Sequence, residues 1–332
     1  MPTYVHNGSG WQELTGTDRP YVHAGGSFQG VTNIYAHNGS GWQQVYQYDN
    51  TGPTGGGISS ISWNQSLPGF TVNYASVSDS ESGVASYKLQ YSSNNSSWSD
   101  VTTGLSTGGG SHSYAVTSGN RGTLHYFRTV AQDNAGNTSS SASSSKYAKP
   151  LGTFYVTATG HGIWASAGSG SWRSDLGAVG EIFHGWFNTT YAYQYGHWFY
   201  GSGVDAVAKG YAPDSGTIRT YRSSSTGCTG DRVSFATHNY GSQPSGTPSL
   251  DRTNYFNDGE QSQGNAKEYA LSSGALNRIA LDTNFGVFMF PGTSIGGLDN
   301  TQATTCGTNT TYRVFDSPFV DANSGRLTLV FN

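Results

Sequence analysis

The sequence predicts an all-β protein, and three observations carry that reading: an unusual composition, hairpin-sized repeats near the start, and short alternating runs at even spacing thereafter. Of 332 residues, 34% are hydrophobic and 11% charged, against roughly 45–50% and 25% in ordinary globular proteins. The residues from which helices are built are scarce, Met occurring only twice. So little hydrophobic material would suggest disorder, but disordered chains are also poor in aromatics. This one holds 22 Tyr, 15 Phe and 8 Trp beside 47 Gly. Rings that each bury ~150–250 Å² can build cores with few aliphatic residues.

Charge narrows the partners. Sixteen Lys and Arg against 20 Asp and Glu give a net charge of −4, spread thinly. No basic stripe exists to neutralise a phosphate backbone, so nucleic acid is not an expected partner. No apolar stretch approaches the ~20 residues of a membrane-spanning helix. Residues 1–20 lack a basic region followed by an apolar core, so no secretory signal is expected and synthesis is read as cytoplasmic.

Residues 1–50 read as β-hairpin repeats. Tyr4-Val-His-Asn-Gly-Ser-Gly-Trp11 recurs as Tyr21-Val-His-Ala-Gly-Gly-Ser-Phe28 and as Tyr35-Ala-His-Asn-Gly-Ser-Gly-Trp42, with seven residues from Tyr to the later ring in each copy. The Asn-Gly and Gly-Gly pairs tolerate the positive φ of a tight hairpin turn. A lone hairpin is marginal in water, so the rings are expected to form a small core among themselves or with other copies of the chain. The alternative reading makes them aromatic sugar sites.

Residues 51–149 follow a Gly/Pro-rich boundary, Asn50-Thr-Gly-Pro-Thr-Gly-Gly-Gly57, read as a linker. Alternating runs at Ile58–Trp63, Phe70–Ala75, Val84–Tyr91, His112–Val116 and Leu124–Ala131 predict a β-sandwich. The serine-rich run from Thr138 to Lys146 reads as a second hinge, ending at Pro150. Residues 150–332 are denser in rings. Their strand candidates are Gly152–Thr159, Tyr191–Tyr200, Thr217–Arg222, Arg232–His238, Leu276–Asp282, Gly286–Phe290, Thr311–Phe315 and Arg326–Phe331. With no βαβ alternation, they predict two packed antiparallel sheets of jelly-roll type.

Two resemblances sharpen this outline. Asp79-Ser-Glu-Ser-Gly-Val84, Tyr87-Lys-Leu-Gln-Tyr-Ser, Trp98 and Tyr126-Phe-Arg-Thr-Val-Ala-Gln-Asp-Asn-Ala-Gly-Asn137 resemble a bacterial fibronectin type III or Ig-like domain over residues 57–148. The sequence departs from that pattern at His125, which stands at the inward position where such domains often place a corner tyrosine. Fold analogy of this kind implies a spacer and no chemistry. In the last segment, His197-Trp-Phe-Tyr-Gly201, Val204-Asp-Ala-Val-Ala-Lys-Gly210 and Thr217-Ile-Arg-Thr-Tyr-Arg222 are followed by Val233-Ser-Phe-Ala-Thr-His238, a run from Leu271 to Leu281, and Ser324-Gly-Arg-Leu-Thr-Leu-Val-Phe331. In order and spacing these resemble the terminal domain of minor tail proteins from long-tailed actinobacterial phages. The resemblance implies a virion tail-tip or fibre component, a homotrimer, attachment to other tail proteins through residues 1–50, and adhesion to host-envelope glycan. A tail segment without receptor binding and a polysaccharide depolymerase are the alternatives.

Candidate sites follow from side-chain chemistry. Tyr191, Tyr193, Tyr195 and His197 alternate with residues of the opposite face, where Trp198 and Tyr200 lie; Trp186 stands nearby. Ring faces stack on sugars while Tyr hydroxyls and Trp N–H groups bond their hydroxyls, so these seven residues form the candidate glycan platform. Core packing is the competing reading. Since a strand buried on one face is normally polar on the other, rings on both faces call for a cover, either glycan or a neighbouring subunit. No catalytic residue or cofactor is expected. Gly292-Thr-Ser294-Ile-Gly296 and Gly104-Leu-Ser106-Thr-Gly108 both fit the nucleophile-elbow pattern, but no His follows His238 in the chain, as that fold requires. Glu181, Asp205, Asp231, Asp258, Glu260 and Glu268 are available to a glycosidase, yet no spacing pairs them. Asp79, Glu81, Asp133 and Asn137 offer oxygens to calcium at one end of the sandwich; turn chemistry explains the same residues. Cys228 and Cys306 stand 78 residues apart. A bridge between them would contribute ~4 kcal/mol if unstrained, forming outside a cell and not within one.

Overall fold

The computed structural model describes residues 3–6, 11–14, 21–24, 27–31, 33–37, 40–165, 170–173, 181–188, 192–226, 233–249, 251–257, 264–291, 311–316 and 324–332, in several strands for the backbone alone. Two compact units divide at Ala148 and Lys149.

The first unit opens with three separate antiparallel hairpins: β1 (Thr3–His6) with β2 (Trp11–Leu14), β3 (Tyr21–Ala24) with β4 (Ser27–Gly30), and β5 (Asn33–His37) with β6 (Trp42–Gln47). The repeat sets the register, since His6 faces Trp11, His23 faces Phe28 and His37 faces Trp42. In the third hairpin the His37 and Trp42 rings meet edge to face at 5.4 Å. Trp42 nevertheless stays 72% exposed and Tyr35 52%. The small core expected of these rings is therefore not closed in this hairpin, because a two-stranded ribbon has only one neighbouring strand with which to cover a ring.

The sandwich comprises β7 (Thr54–Gly55), β8 (Ile58–Asn64), β9 (Gly69–Tyr74), β10 (Val77–Ser78), β11 (Val84–Ser92), β12 (Ser99–Thr102), β13 (Gly110–Ala115), β14 (Leu124–Asp133), β15 (Thr138–Ser140) and β16 (Ser144–Tyr147). One sheet runs β13-β9-β8; the other runs β12-β11-β14, with β15 and β16 pairing successive stretches of β14. Alternation sends Phe70, Val72, Leu89 and Phe127 inward to one core. His125 also points inward, 1% exposed, and its Nε2 lies 3.3 Å from the Asn120 carbonyl. That contact ties the strand to backbone five residues upstream, as a corner tyrosine would.

Two boundary readings are corrected here. Residues 54–57 are part of the sandwich: β7 pairs with β10, the Gly56 amide donates to the Ser76 carbonyl at 2.7 Å, and the Gly57 amide donates to Thr129 Oγ1 at 2.8 Å. Gly55, Gly56 and Gly57 take φ of +84°, +75° and +112°, a left-handed run that favours glycine. The serine-rich run is likewise no hinge but the β15 and β16 edge, with Leu124 opposite Tyr147. Serine lacks apolar bulk, yet an edge strand half exposed to water does not require it.

The second unit contains β17 (Gly152–Val156), β18 (Gly160–Ala165), β19 (Ser171–Trp172), β20 (Glu181–Asn188), β21 (Ala192–Phe199), α1 (Gly203–Ala208), β22 (Ser215–Thr226), β23 (Val233–His238), β24 (Asp251–Asn257), β25 (Asn265–Ala270), α2 (Ser273–Leu281), β26 (Gly286–Pro291), β27 (Thr311–Asp316) and β28 (Arg326–Phe331). The main path is β17-β28-β22-β27-β20-β21-β26-β23-β24, with β18 on β21, β19 on β18 and β25 on β22. Leu327, Leu329 and Phe331 of β28 share one core with Trp198 of β21 and Val287 and Met289 of β26. Strands far apart along the path thus face each other, so the sheet doubles over into the two layers of an all-β sandwich. Val204 and Ala208 of α1 and Ala275 and Ile279 of α2 enter the same core.

The strand expected at Leu276–Asp282 is instead the end of α2. Ser272 caps it by accepting the Ala275 amide at 3.2 Å, and Ala275 and Ile279 recur at helical spacing. No helix among the described residues is long and apolar enough to cross a membrane.

Gly286 pairs with His238 across β26 and β23, and a Cβ there would run into the buried His238 ring. Gly286→Ala is expected to destabilise this unit by about 1–3 kcal/mol, the range for overpacking a core, seen as a lower unfolding midpoint in urea.

Candidate functional site

Four of the seven residues of the proposed ring platform lie inside the molecule. Tyr195 is 3% exposed, and His197, Trp198 and Tyr200 are 0% exposed. One face of β21 sends Trp198 into the main core, while the Tyr200 hydroxyl donates to the Gly325 carbonyl at 2.6 Å. On the other face Tyr195 packs with Trp164 of β18, Ala236 of β23 and Phe288 of β26. His197 stacks on Phe288 at 5.5 Å and meets Trp172 edge-on at 4.9 Å. The cover that rings on both faces demanded is thus supplied by the same chain. These four residues are withdrawn as glycan ligands. Trp186 and Tyr193 face each other across β20 and β21; their side chains, and Tyr191 altogether, lie outside the described residues. So do Cys228, Cys306 and Ser294. Ser106 caps its own turn, its hydroxyl accepting the Gly108 amide at 3.2 Å.

A cleft lies beside the buried platform. The β18–β19 pair sets Trp164 opposite Trp172, rings 5.4 Å apart and near perpendicular. Trp172 is half-buried, and its Nε1 donates to the Gly246 carbonyl at 3.0 Å, which holds the 243–247 loop against the hairpin. The cavity between them, about 430 Å³, is lined by Trp164, Ser171, Trp172, Gln243, Ser245 and Thr247 among others. Its size falls within the ~300–1,000 Å³ typical of small-molecule sites. Gly170 takes φ +76°, and a Cβ there would strike the Trp164 ring, so the backbone passes close over the indole. Aromatic surface walled by amide and hydroxyl groups is suited to a neutral, hydroxyl-rich ligand. Sequence reasoning missed this site. The signal was present in Trp164-Ala-Ser-Ala-Gly-Ser-Gly-Ser-Trp172, two indoles around a Gly/Ser turn in the manner of the N-terminal repeats.

A second candidate sits at one end of the sandwich. Carboxylate oxygens of Asp49, Asp79 and Asp133 lie within 4.8 Å of one another. The calcium candidates Asp79 and Asp133 are therefore joined by Asp49, from the lead-in to the domain, while Glu81 and Asn137 act behind them. Asp79 Oδ1 accepts the amides of Glu81, Ser82 and Gly83 at 3.1, 2.8 and 2.8 Å. Asp133 Oδ1 accepts the Asn137 amide and its Oδ2 the Asn137 side chain, both at 2.8 Å. Asp49 Oδ1 accepts the Thr51 amide at 3.0 Å, and the Thr51 hydroxyl donates to Glu81 Oε2 at 2.6 Å. Burial alone would raise the Asp49 carboxyl; the neighbouring Ser82 hydroxyl, the Thr51 amide, Glu81 and the Thr51 hydroxyl outweigh it and hold the group below the ordinary carboxylate range. At an effective dielectric of ~20, two unit charges no farther apart than this repel by at least about 3.5 kcal/mol.

The buried histidines give the second unit a pH dependence. Burial pushes His238 down to about 3, and burial followed by the nearby His238 pushes His197 well below its ordinary value. Both are neutral in the folded unit, whereas the unfolded chain binds protons near pH 6.5. Their stabilising effect is complete above about pH 6.5 and falls as the solution is acidified, by up to about 1.4 kcal/mol per pH unit for each histidine, the His238 share being lost as pH approaches about 3. His197→Phe, placed beside Phe199 and Phe288, is expected to keep the stack and flatten this slope, measurable by urea unfolding between pH 4 and 7.

Neither a protein-family model nor a curated protein matches this chain. Among solved structures it is similar to an α-L-rhamnosidase from Dictyoglumus thermophilum, at 9% identity and a TM-score of 0.23, over 78% of this chain. The match spans about a quarter of that enzyme (27%), and a similarity of this grade carries no inference about fold or activity.

Proposed function

We propose that this chain is a phage minor tail protein, a virion tail-tip or fibre component that adheres to host-envelope glycan through its C-terminal unit. The observation that carries the adhesive part is the cleft at Trp172, whose half-buried indole, packed against the buried Trp164, faces a wall of Gln243, Ser245 and Thr247. That cleft takes the place of the four buried platform residues, Tyr195, His197, Trp198 and Tyr200, as the glycan contact. Its chemistry favours weak binding by ring stacking and hydroxyl hydrogen bonds, multiplied by avidity across the copies of a homotrimer. The tail assignment rests on the sequence resemblance.

Among the described residues that line the cleft none is a carboxylate, and Glu268 is engaged elsewhere by Thr217 at 3.1 Å and Arg326 at 3.6 Å. A structural role for the N-terminal hairpins is favoured by the exposure of Trp42 and Tyr35, which offers rings for attachment to another tail protein.

The test uses the purified full chain on host cells and on their isolated envelope polysaccharide. Labelling of cells and competition with infection are expected. Trp172→Ala is expected to weaken polysaccharide binding at least about tenfold, on the order of 1.4 kcal/mol, without release of reducing ends. A chain that neither labels cells nor competes, yet captures a tail protein through residues 1–50, sustains only the structural role.

A further inference from the structure

We infer that Asp49, Asp79 and Asp133 form a calcium site that fastens the lead-in segment of the sandwich to two of its turns. The inference is independent of the glycan reading and goes beyond it.

Three facts of geometry carry it. First, calcium binds oxygen at 2.3–2.6 Å, so two ligands on one ion stand at most about 4.6–5.2 Å apart. The three carboxylates, mutually within 4.8 Å, fit a single coordination sphere. Second, Asp49 is 2% exposed, and its Oδ2 is buried without a hydrogen-bond partner. A buried anionic oxygen in that condition is costly unless something positive meets it, and no described Lys or Arg forms an ion pair with any of the three. Third, the polar neighbours orient the carboxylates without consuming every oxygen. Asp79 spends Oδ1 on three amides, leaving Oδ2 free of any described hydrogen bond. Asp133 is steadied by Asn137, whose side-chain amide also donates to the Asp49 carbonyl at 3.3 Å.

The donor set selects the ion. All the candidate ligands are hard carboxylate oxygens with no nitrogen or sulfur, which disfavours zinc and copper. They come from three separate segments: before β7, between β10 and β11, and at the end of β14. Calcium accepts six to eight ligands in adaptable geometry, with water completing the shell, whereas magnesium demands a near-ideal octahedron. The consequence is mechanical. Residues 49–53 precede the first strand of the sandwich, and the ion would clamp them to the 79–83 and 133–137 turns.

Calorimetric titration of the full chain with CaCl₂, after EDTA treatment, is expected to show one saturable site of micromolar to submillimolar affinity. Saturating calcium should raise the melting temperature of the first unit by several degrees and slow proteolysis within residues 47–57. Asp49→Asn and Asp79→Asn keep the Oδ1 acceptor of each residue and replace only the other oxygen, so both variants are expected to fold while losing at least tenfold in calcium affinity. Absence of calcium heat and of any melting shift in the parent chain would overturn the inference without using a variant. So would calcium binding untouched by both substitutions, which would put the ion elsewhere, or magnesium binding as tight as calcium.

Discussion

The C-terminal unit depends on one constraint: β21 carries large side chains on both faces and must be shut away from water on both. Trp198 fills the core between the layers, while Tyr195 and His197 on the reverse face are covered by Trp164, Trp172 and Phe288. Each ring removes more apolar area than an aliphatic residue would, which is how so weakly hydrophobic a chain builds a core. The short β18–β19 ribbon and the 243–247 loop exist in this position because the reverse face needs them. The cleft is a by-product of that cover, since the last layer over a buried strand must itself meet solvent.

Burial on this scale leaves polar groups that have to be settled locally. Tyr200 finds the Gly325 carbonyl, and Gly325, at φ +72°, leaves room for the Trp198 ring against its backbone. His238 accepts the Tyr240 amide through Nδ1 at 3.2 Å. His197 keeps both ring nitrogens buried without a hydrogen-bond partner, so it serves as a flat apolar plate that acid would charge. The sandwich meets the same problem differently. Its polar end gathers carboxylates and backbone amides into turns, and its aromatic interior joins Phe70, Tyr91, Tyr114, His125 and Phe127 ring to ring.

Much of this was legible in particular residues. The Tyr-to-ring repeats gave three hairpins, which share one register across the turn, and the alternating runs from Ile58 to Ala131 became the strands of two sheets. The helix at Ser273–Leu281 was also written locally, in a Ser272 cap and the Ala275–Ile279 spacing, but a strand-rich context hid it. The serine run misled because an edge strand can satisfy its backbone without apolar side chains. The site was harder. Asp79 and Asp133 are visible as turn residues, whereas Asp49 joins them only because the chain before β7 returns to that end of the sandwich.

What the sequence by itself determined was the class of structure: period-two alternation, turn dipeptides and ring-rich strands dictate antiparallel sheets, because those preferences act within a few residues. What only the tertiary structure decided was which surfaces remain for ligands. A strand with rings on both faces looks the same in sequence whether water, sugar or protein lies above it. Solvent exposure is a property of distant segments, and here Trp164, Trp172 and residues 243–247 claimed the face that the sequence alone left open.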